Sequence, residues 1–293
     1  MTNDSQMILP EIVWDLPFVN QGISGLVYAI DEYAVIKVSA GGEINRQGLE
    51  VERKIFERLG EHPRIVKLLC IHRDMIVLER LQYPLRVRIQ ELREEEALPS
   101  LDEILKWSAQ AAEGMHYFNE KKVYQVDIGV HNMLLDWDEN IIYCDFSGSS
   151  LDGMEPTAAA SARAENPRVL SSSPTVESEI FALGPALYEI STTYKTYEDK
   201  EDMEIEELFR RQEYPRVNHL LLGHVILKCW TGEYRSAGEA AIEIRRIQRQ
   251  IKLGDLSLSL SEIIEQRKLC RGEASMDRCN VVKFSTGLDL RGR

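Results

Sequence analysis

Along the first third of the chain the hydrophobic positions fall into strand-like runs interrupted by one helical stretch, and from Pro99 onward they recur at helical spacing. "GLVYAI" and "YAVIKV" are β-branched and aromatic runs with a tight turn at Asp31-Glu32 between them. "GLEVERKIFERLG" then sets Leu49, Val51, Ile55, Phe56 and Leu59 near one helical face, and Gly60 is the predicted stop. "RIVKLLCIHRDMIVLERL" predicts a second strand pair around Arg73-Asp74. Ser100 and Glu103 have the spacing of a capping box, opening a helix whose stripe is Ile104, Trp107, Ala111 and Met115. Further helices are expected over "EIFALGPALYEI", "EIEELFRRQ", "HLLLGHVILKCW" and "SAGEAAIEIRRIQRQIK". Between Leu151 and Ser178 an Ala-, Ser- and Pro-rich, weakly periodic run predicts a long loop. The tail from Leu253 is expected to be peripheral, and its last residues, roughly a dozen, mobile.

The order is therefore a small β-rich lobe with one helix, then a larger helical lobe, with a ligand expected in the cleft between them. A chain of 293 residues, 44% hydrophobic and without internal repeats, is long enough to bury cores of that size. A net charge of −13 argues against nonspecific binding to nucleic acid or acidic membrane surfaces, and is compatible with a basic partner. Cys70, Cys144, Cys229, Cys270 and Cys279 are scattered and odd in number, matching neither a zinc site nor a disulfide framework. The N-terminal stretch has no basic region followed by an apolar run, and no segment has the length of a membrane span. These features predict an intracellular protein, cytoplasmic or nuclear, with reduced thiols.

Candidate chemistry is concentrated at a few positions. Gly22 and Gly25 in "NQGISGLVYAI" would let backbone approach a phosphate, although glycines in a hairpin are more often structural. Lys37 ends an apolar strand, where it either snorkels to solvent or is held by an acid from the following helix. Glu52 has the right relation to Phe56 and Leu59 to be that acid, whereas Glu50 lies about 200° around the helix. In "VYQVDIGVHNMLLDWDENIIYCDFSGSS", Asp127, Asn132 and Asp145 flank a predicted hairpin with Asp138-Glu139-Asn140 at its tip. That hairpin would bring Asn132 and Asp145 to adjacent strand ends. A carboxylate to take a hydroxyl proton and an Asn–Asp pair for a metal are what phosphoryl transfer needs.

Taken together these residues resemble a protein kinase from about Val19 to Arg249. Asn20-x-Gly22-x-x-Gly25-x-Val27 resembles the glycine-rich loop, Lys37 the strand lysine and Glu52 its helix partner. Leu78-Glu79-Arg80-Leu81 falls at the gatekeeper and hinge. Asp127 and Asn132 match the catalytic loop, and Asp145-Phe146-Ser147 the D-F-G element. "DFSGSSLDG" and "EYRSAGEAA" further resemble a group of short fungal kinase-like proteins.

The resemblance implies an α+β, bilobal protein-kinase-like fold. It divides the chain into an N-terminal extension at 1–18, an N-lobe at 19–81, a mainly α-helical C-lobe at 82–252 and a tail at 253–293. It implies ATP and Mg2+ as cofactors and a protein hydroxyl, Ser or Thr, as acceptor. Val27 and Val35 would sandwich the adenine, Glu79 and Leu81 bind its edge, and Lys37 take the phosphates. Asn132 and Asp145 would hold magnesium, and Asp127 orient the acceptor.

Several positions depart from the pattern. Asn20 stands for the first loop glycine, Gln125 and Val126 replace the His-Arg before the catalytic Asp, and Gly129 replaces a lysine. His131 is a candidate substitute for that lysine. Ser147 replaces the D-F-G glycine and Glu179 an Asp of the central helix. The A-P-E element is not recognisable, and Glu165 is its nearest candidate to pair with Arg235. Three readings follow in order of support: an active protein kinase, a pseudokinase scaffold that binds nucleotide without efficient transfer, and a small-molecule phosphotransferase of the aminoglycoside-kinase type.

Overall fold

Asp31 decides where the first hairpin turns, because its Oδ1 accepts hydrogen bonds from the Tyr33 and Ala34 N–H groups at 2.7 and 2.8 Å. The hairpin belongs to a computed structural model that describes residues 12–22 and 24–254, and a short strand at 282–283. Strand β1 is Phe18–Gln21, β2 Gly25–Ala29, β3 Ala34–Ser39, β4 Leu68–His72 and β5 Met75–Glu79. They form an antiparallel sheet in the order β1-β2-β3-β5-β4.

Alternation along β3 sorts its side chains onto two faces. Ala34, Ile36 and Val38 pack with Val77 on one face, covered by Val13 from a short 3-10 turn. The segment before Val19 thus contributes to the small lobe. Val35 joins the other cluster, which continues through helix α1 into the large lobe. α1 spans Glu43–Leu59, beginning before its apolar stripe does, and ends at Gly60, whose φ of 63° is the left-handed stop glycine supplies readily. Leu49, Ile55, Phe56 and Leu59 form the buried face, Glu52 lies fully buried among them, and Glu50 points outward to Lys54.

The large lobe opens with β6 (Tyr83–Pro84) and α2 (Leu85–Glu94), a helix the sequence reading did not anticipate. Its stripe is short, Leu85, Ile89 and Leu92, set among Arg and Glu. α3 (Leu101–Glu120) carries the expected capping box between Ser100 and Glu103, and its stripe of Ile104, Trp107, Ala111 and Met115 is buried. β7 is Val123–Tyr124. The expected hairpin is β8 (Met133–Leu135) and β9 (Ile141–Tyr143), whose tip is closed by Asp136 Oδ1 accepting from the Asp138 and Asn140 N–H groups.

From β10 (Ser150–Leu151) to α4 (Val176–Thr192) the chain has neither helix nor strand, as the composition predicted. α4 is capped by Thr175 and buried from Glu179 to Leu187 and again over Ile190 to Thr192. α5 (Asp202–Arg210), β11 (Glu213–Tyr214), α6 (Gly223–Thr231) and α7 (Ala237–Leu253) complete the lobe, with α7 against α3 and α6 against α4. α6 starts four residues later than its apolar run, because at Gly223 the chain doubles back onto Val217: a Cβ there would sit 1.7 Å from the Val217 carbonyl oxygen.

The expectation of a peripheral, mobile tail falls outside the described residues, apart from β12 (Val282–Lys283) pairing with β11. Among the described residues no helix is long and apolar enough to cross a membrane, and Cys70, Cys144 and Cys229 are free thiols.

Candidate active site

Lys37, Glu52 and Asp145 meet at the junction of the lobes, brought from β3, α1 and the segment after β9. Lys37 Nζ is 2.6 Å from Glu52 Oε2 and 2.8 Å from Asp145 Oδ1. Glu52 Oε1 accepts the Phe146 N–H at 3.0 Å, so one buried carboxylate orients both the lysine and the backbone beside Asp145. Burial alone would strip the proton from Lys37, but the carboxylates of Glu52 and Asp145 outweigh it and hold the ammonium. Burial also works against ionisation of Asp145, yet Lys37 and the Ser147 donors pull its pKa down to about 2. Glu52 is displaced the other way, upward, by burial opposed by Lys37. With the ammonium so close and a backbone donor on its second oxygen, the ionic pair is the state this geometry favours.

Gly25 has a structural reason to be glycine: a Cβ there would stand 2.9 Å from Lys37 Cε, so its absence makes room for the lysine stem. Gly22 has no such crowding. The nearest atom to its missing Cβ, Asp145 Oδ2, is 3.7 Å away. The tip of this hairpin is tied down by Ser24, whose hydroxyl is 2.6 Å from that of Ser147. Ser147 in turn donates to Asp145 Oδ1 at 2.7 Å, giving the residue in the glycine position a direct hold on the acid.

The loop carrying Asp127 is built on an uncommon turn. Val126 has φ 70°, and the Asp127 N–H donates to the Gln125 carbonyl at 2.8 Å, a γ-turn of the strained kind. A β-branched residue in that region costs roughly 1–3 kcal/mol. Glu179 from α4 offsets this by accepting the Val126 N–H at 2.8 Å and the Gln125 N–H at 3.1 Å. Burial pushes the Glu179 carboxyl up to about 7 despite these donors. Gln125 Nε2 donates to the carbonyls of Cys144 and Asp145, bracing the loop against the second acidic segment.

Within the loop Asn132 Nδ2 donates to the Asp127 carbonyl at 2.9 Å and to Asp127 Oδ2 at 3.2 Å. The Cys144 N–H donates to the Asn132 carbonyl, so the strand ends carrying Asn132 and Asp145 do lie side by side. Asn132 Oδ1 and Asp145 Oδ2 accept no hydrogen bond among the described residues. Two open oxygens on adjoining strand ends, one a carboxylate, fit a magnesium ion that takes its remaining ligands from phosphate and water.

At the proposed hinge the Glu79 and Arg80 N–H groups donate to Lys67 and Tyr33 carbonyls, and Gln82 to Leu135. The Leu81 N–H between them makes no backbone hydrogen bond among the described residues. Val27 and Val35 face the same cluster from neighbouring strands.

A protein tyrosine and serine/threonine kinase family model matches residues 30–237, a span that includes every element just described from β3 to the start of α7. The chain belongs to that family. Similar proteins include the epidermal growth factor receptor of Drosophila melanogaster, 24% identical over 187 residues, which are 58% of this chain and 13% of the receptor. A probable serine/threonine-protein kinase of Dictyostelium discoideum is 25% identical over 229 residues, 72% of this chain and 25% of its own length. A probable protein kinase of the same organism is 27% identical over 183 residues, 59% of this chain and 50% of its own. The chain thus spans half or less of the length of these relatives.

Against the kinase pattern one pairing needs correcting. No ion pair joins Glu165 to Arg235 among the described residues. Arg235 is exposed, and Arg168 instead pairs with Glu177 at 3.1 Å while donating to the Trp230 carbonyl. The misplacement follows from reading the loop by spacing alone, since Asn166 turns the chain and its Oδ1 accepts the Arg168 N–H, bringing Arg168 to the α6 end. Sequence reasoning also missed Arg86 and Glu189, which approach the catalytic loop from α2 and α4, and for these no local signal exists.

Proposed function

We propose that the chain is an ATP-dependent protein kinase that transfers the γ-phosphoryl group to a protein hydroxyl, Ser or Thr by preference. The observation that carries this reading is the buried Lys37 paired at once with Glu52 and Asp145, an arrangement whose desolvation cost makes sense where phosphates are to be bound. Val27 and Val35 would enclose the adenine, and the free Leu81 N–H with the Glu79 carbonyl would meet its edge. Gly22 and Gly25 would pass over the phosphates, and Lys37 would hold their oxygens.

Asn132 Oδ1 and Asp145 Oδ2 would hold magnesium, which when bound neutralises phosphate charge. Asp127 accepts the proton of the attacking hydroxyl as the new O–P bond forms and the β–γ bridge breaks, releasing ADP. The acidic charge of the chain, −13, is compatible with a basic acceptor protein.

One feature favours the scaffold alternative: Gly129 supplies no cation beside the transferring group, a loss worth several kcal/mol in a site of this type. Calorimetric titration with Mg-ATP separates the roles. Asp145→Ala is expected to abolish magnesium-dependent binding, and Asp127→Ala to leave the affinity within about threefold of native. Equal losses in the two variants would overturn the assignments.

A further inference from the structure

The room a side chain would need at position 129 is already taken. A Cβ on Gly129 would stand 2.4 Å from His131 Cε1 and 2.5 Å from its Nδ1. The φ of Gly129 is 176°, extended backbone open to any residue, so the imidazole and not the backbone demands glycine here. The ring is held at both ends, with Nε2 3.0 Å from Asp127 Oδ2 and Nδ1 3.1 Å from a terminal guanidinium nitrogen of Arg86. A guanidinium has donors only, so Nδ1 must accept from it. The single proton of the neutral ring is then on Nε2, the ring nitrogen 3.0 Å from Asp127 Oδ2.

Asp127 Oδ2 accepts from Asn132 Nδ2 at 3.2 Å and lies 3.0 Å from His131 Nε2, while Oδ1 accepts no hydrogen bond among the described residues. Other charge facing the cluster comes from Glu189 on α4, which lies near both Arg86 and His131, and from Lys195 beyond it.

We propose that Arg86 and His131 form a positioning relay that fixes the Asp127 carboxylate by one oxygen and presents the other to the acceptor hydroxyl. Gly129 is the vacancy that lets the relay assemble. A cation that would act on the phosphoryl group is replaced here by a ring that acts on the carboxylate. The presented-hydroxyl part of this proposal rests on the phosphotransfer reading, whereas the relay itself does not.

Long-range 1H–15N spectra of imidazole-labelled protein test the relay without any turnover. The chain has six histidines, and the His131 signals are assigned by their loss in His131→Gln. At about pH 8, where an ordinary imidazole is neutral, the native ring is expected in the Nε2–H tautomer. Arg86→Met and Gly129→Ala are each expected to relax it to a mixture. An Nδ1–H ring in the native protein, or one indifferent to both substitutions, overturns the relay.

Kinetics supply the second arm. His131→Phe and Gly129→Ala are expected to lower kcat on the order of ten- to a hundredfold with the KM for ATP little changed. His131→Gln, still a donor, is expected to keep most of the activity. Unchanged kcat in His131→Phe overturns the positioning role. A native protein with the fixed tautomer and no turnover would uphold the relay and remove the phosphotransfer reading instead.

Discussion

The two halves of the site have been treated differently. On the nucleotide side, Lys37, Glu52 and Asp145 match the kinase pattern residue for residue. In the catalytic loop only Asp127 and Asn132 do, and Gln125, Val126 and Gly129 are substitutions, with His131 a candidate stand-in for the lost lysine. Burial separates the Lys37–Glu52 pair from the Asp127–His131 pair, although Gln125 and Val126 are buried too and Asp145 keeps 34% of its side-chain exposure. Lys37 and Glu52 are almost wholly withdrawn from water, so removing any one charge strands the others at a cost of several kcal/mol. The Asp127 and His131 side chains keep 40% and 27% of their exposure, and there a lost charge is hydrated and a neighbour can take its place. A desolvated ion pair such as Lys37–Glu52 resists piecemeal exchange, whereas the half-open Asp127–His131 contact tolerates it.

The largest effect that would break this comparison is in the buried half. Lys37→Met should lower the unfolding free energy by about 3–5 kcal/mol in urea titrations, because Glu52 is left buried and unpaired. Adding Glu52→Gln should recover part of that loss. A single-mutant cost below about 1 kcal/mol would mean the pair is no more coupled than a surface bridge.

Glu179 sharpens the comparison, being a buried carboxylate without a cation. Its pKa of about 7 lies above the usual 4.5, so the folded state favours the protonated form. Stability from this group is full below the unfolded value and is lost as pH rises through 7. Native minus Glu179→Gln stability should therefore fall by roughly 3 kcal/mol between pH 4.5 and 7, at 1.36 kcal/mol for each unit. A flat difference across that range would show that the Gln125 and Val126 donors keep it ionised throughout.

The smallest effects concern the loop anchor. Arg168→Ala should cost about 1–2 kcal/mol through its lost bond to the Trp230 carbonyl, and Arg235→Ala under about 0.5 kcal/mol. The reverse order in thermal melts would restore Arg235 as the anchor.

What could be read from the chain follows the range of the interactions involved. The Asp31 turn, the Gly60 stop, the Ser100–Glu103 capping box and the inward face of Glu52 all rest on neighbours within a few residues. The order of Lys37, Glu52, Asp127, Asn132 and Asp145 was legible because local patterns place them, Lys37 within β3, Glu52 on the inward face of α1, and Asn132 and Asp145 at the ends of the β8–β9 hairpin. α2 was not, since Leu85, Ile89 and Leu92 are too few to show a period among charged residues. The Arg86–His131 contact spans 45 positions, and nothing near either residue announces it. The γ-turn at Val126 was equally hidden, because a valine is the residue least expected at positive φ and only Glu179 from α4 makes it tolerable.

The central claim is that Asp127 works on an acceptor hydroxyl held over a nucleotide at Lys37 and Asp145. It is tested most directly by ADP release from Mg-ATP with a basic protein acceptor, comparing the native chain with Asp127→Ala. The account predicts acceptor-dependent release that falls by about a thousandfold or more in the variant while Mg-ATP still raises the Tm of both. Release equal in the two, or absent from the native chain while Mg-ATP stabilises it, would contradict phosphotransfer and leave a nucleotide-binding scaffold.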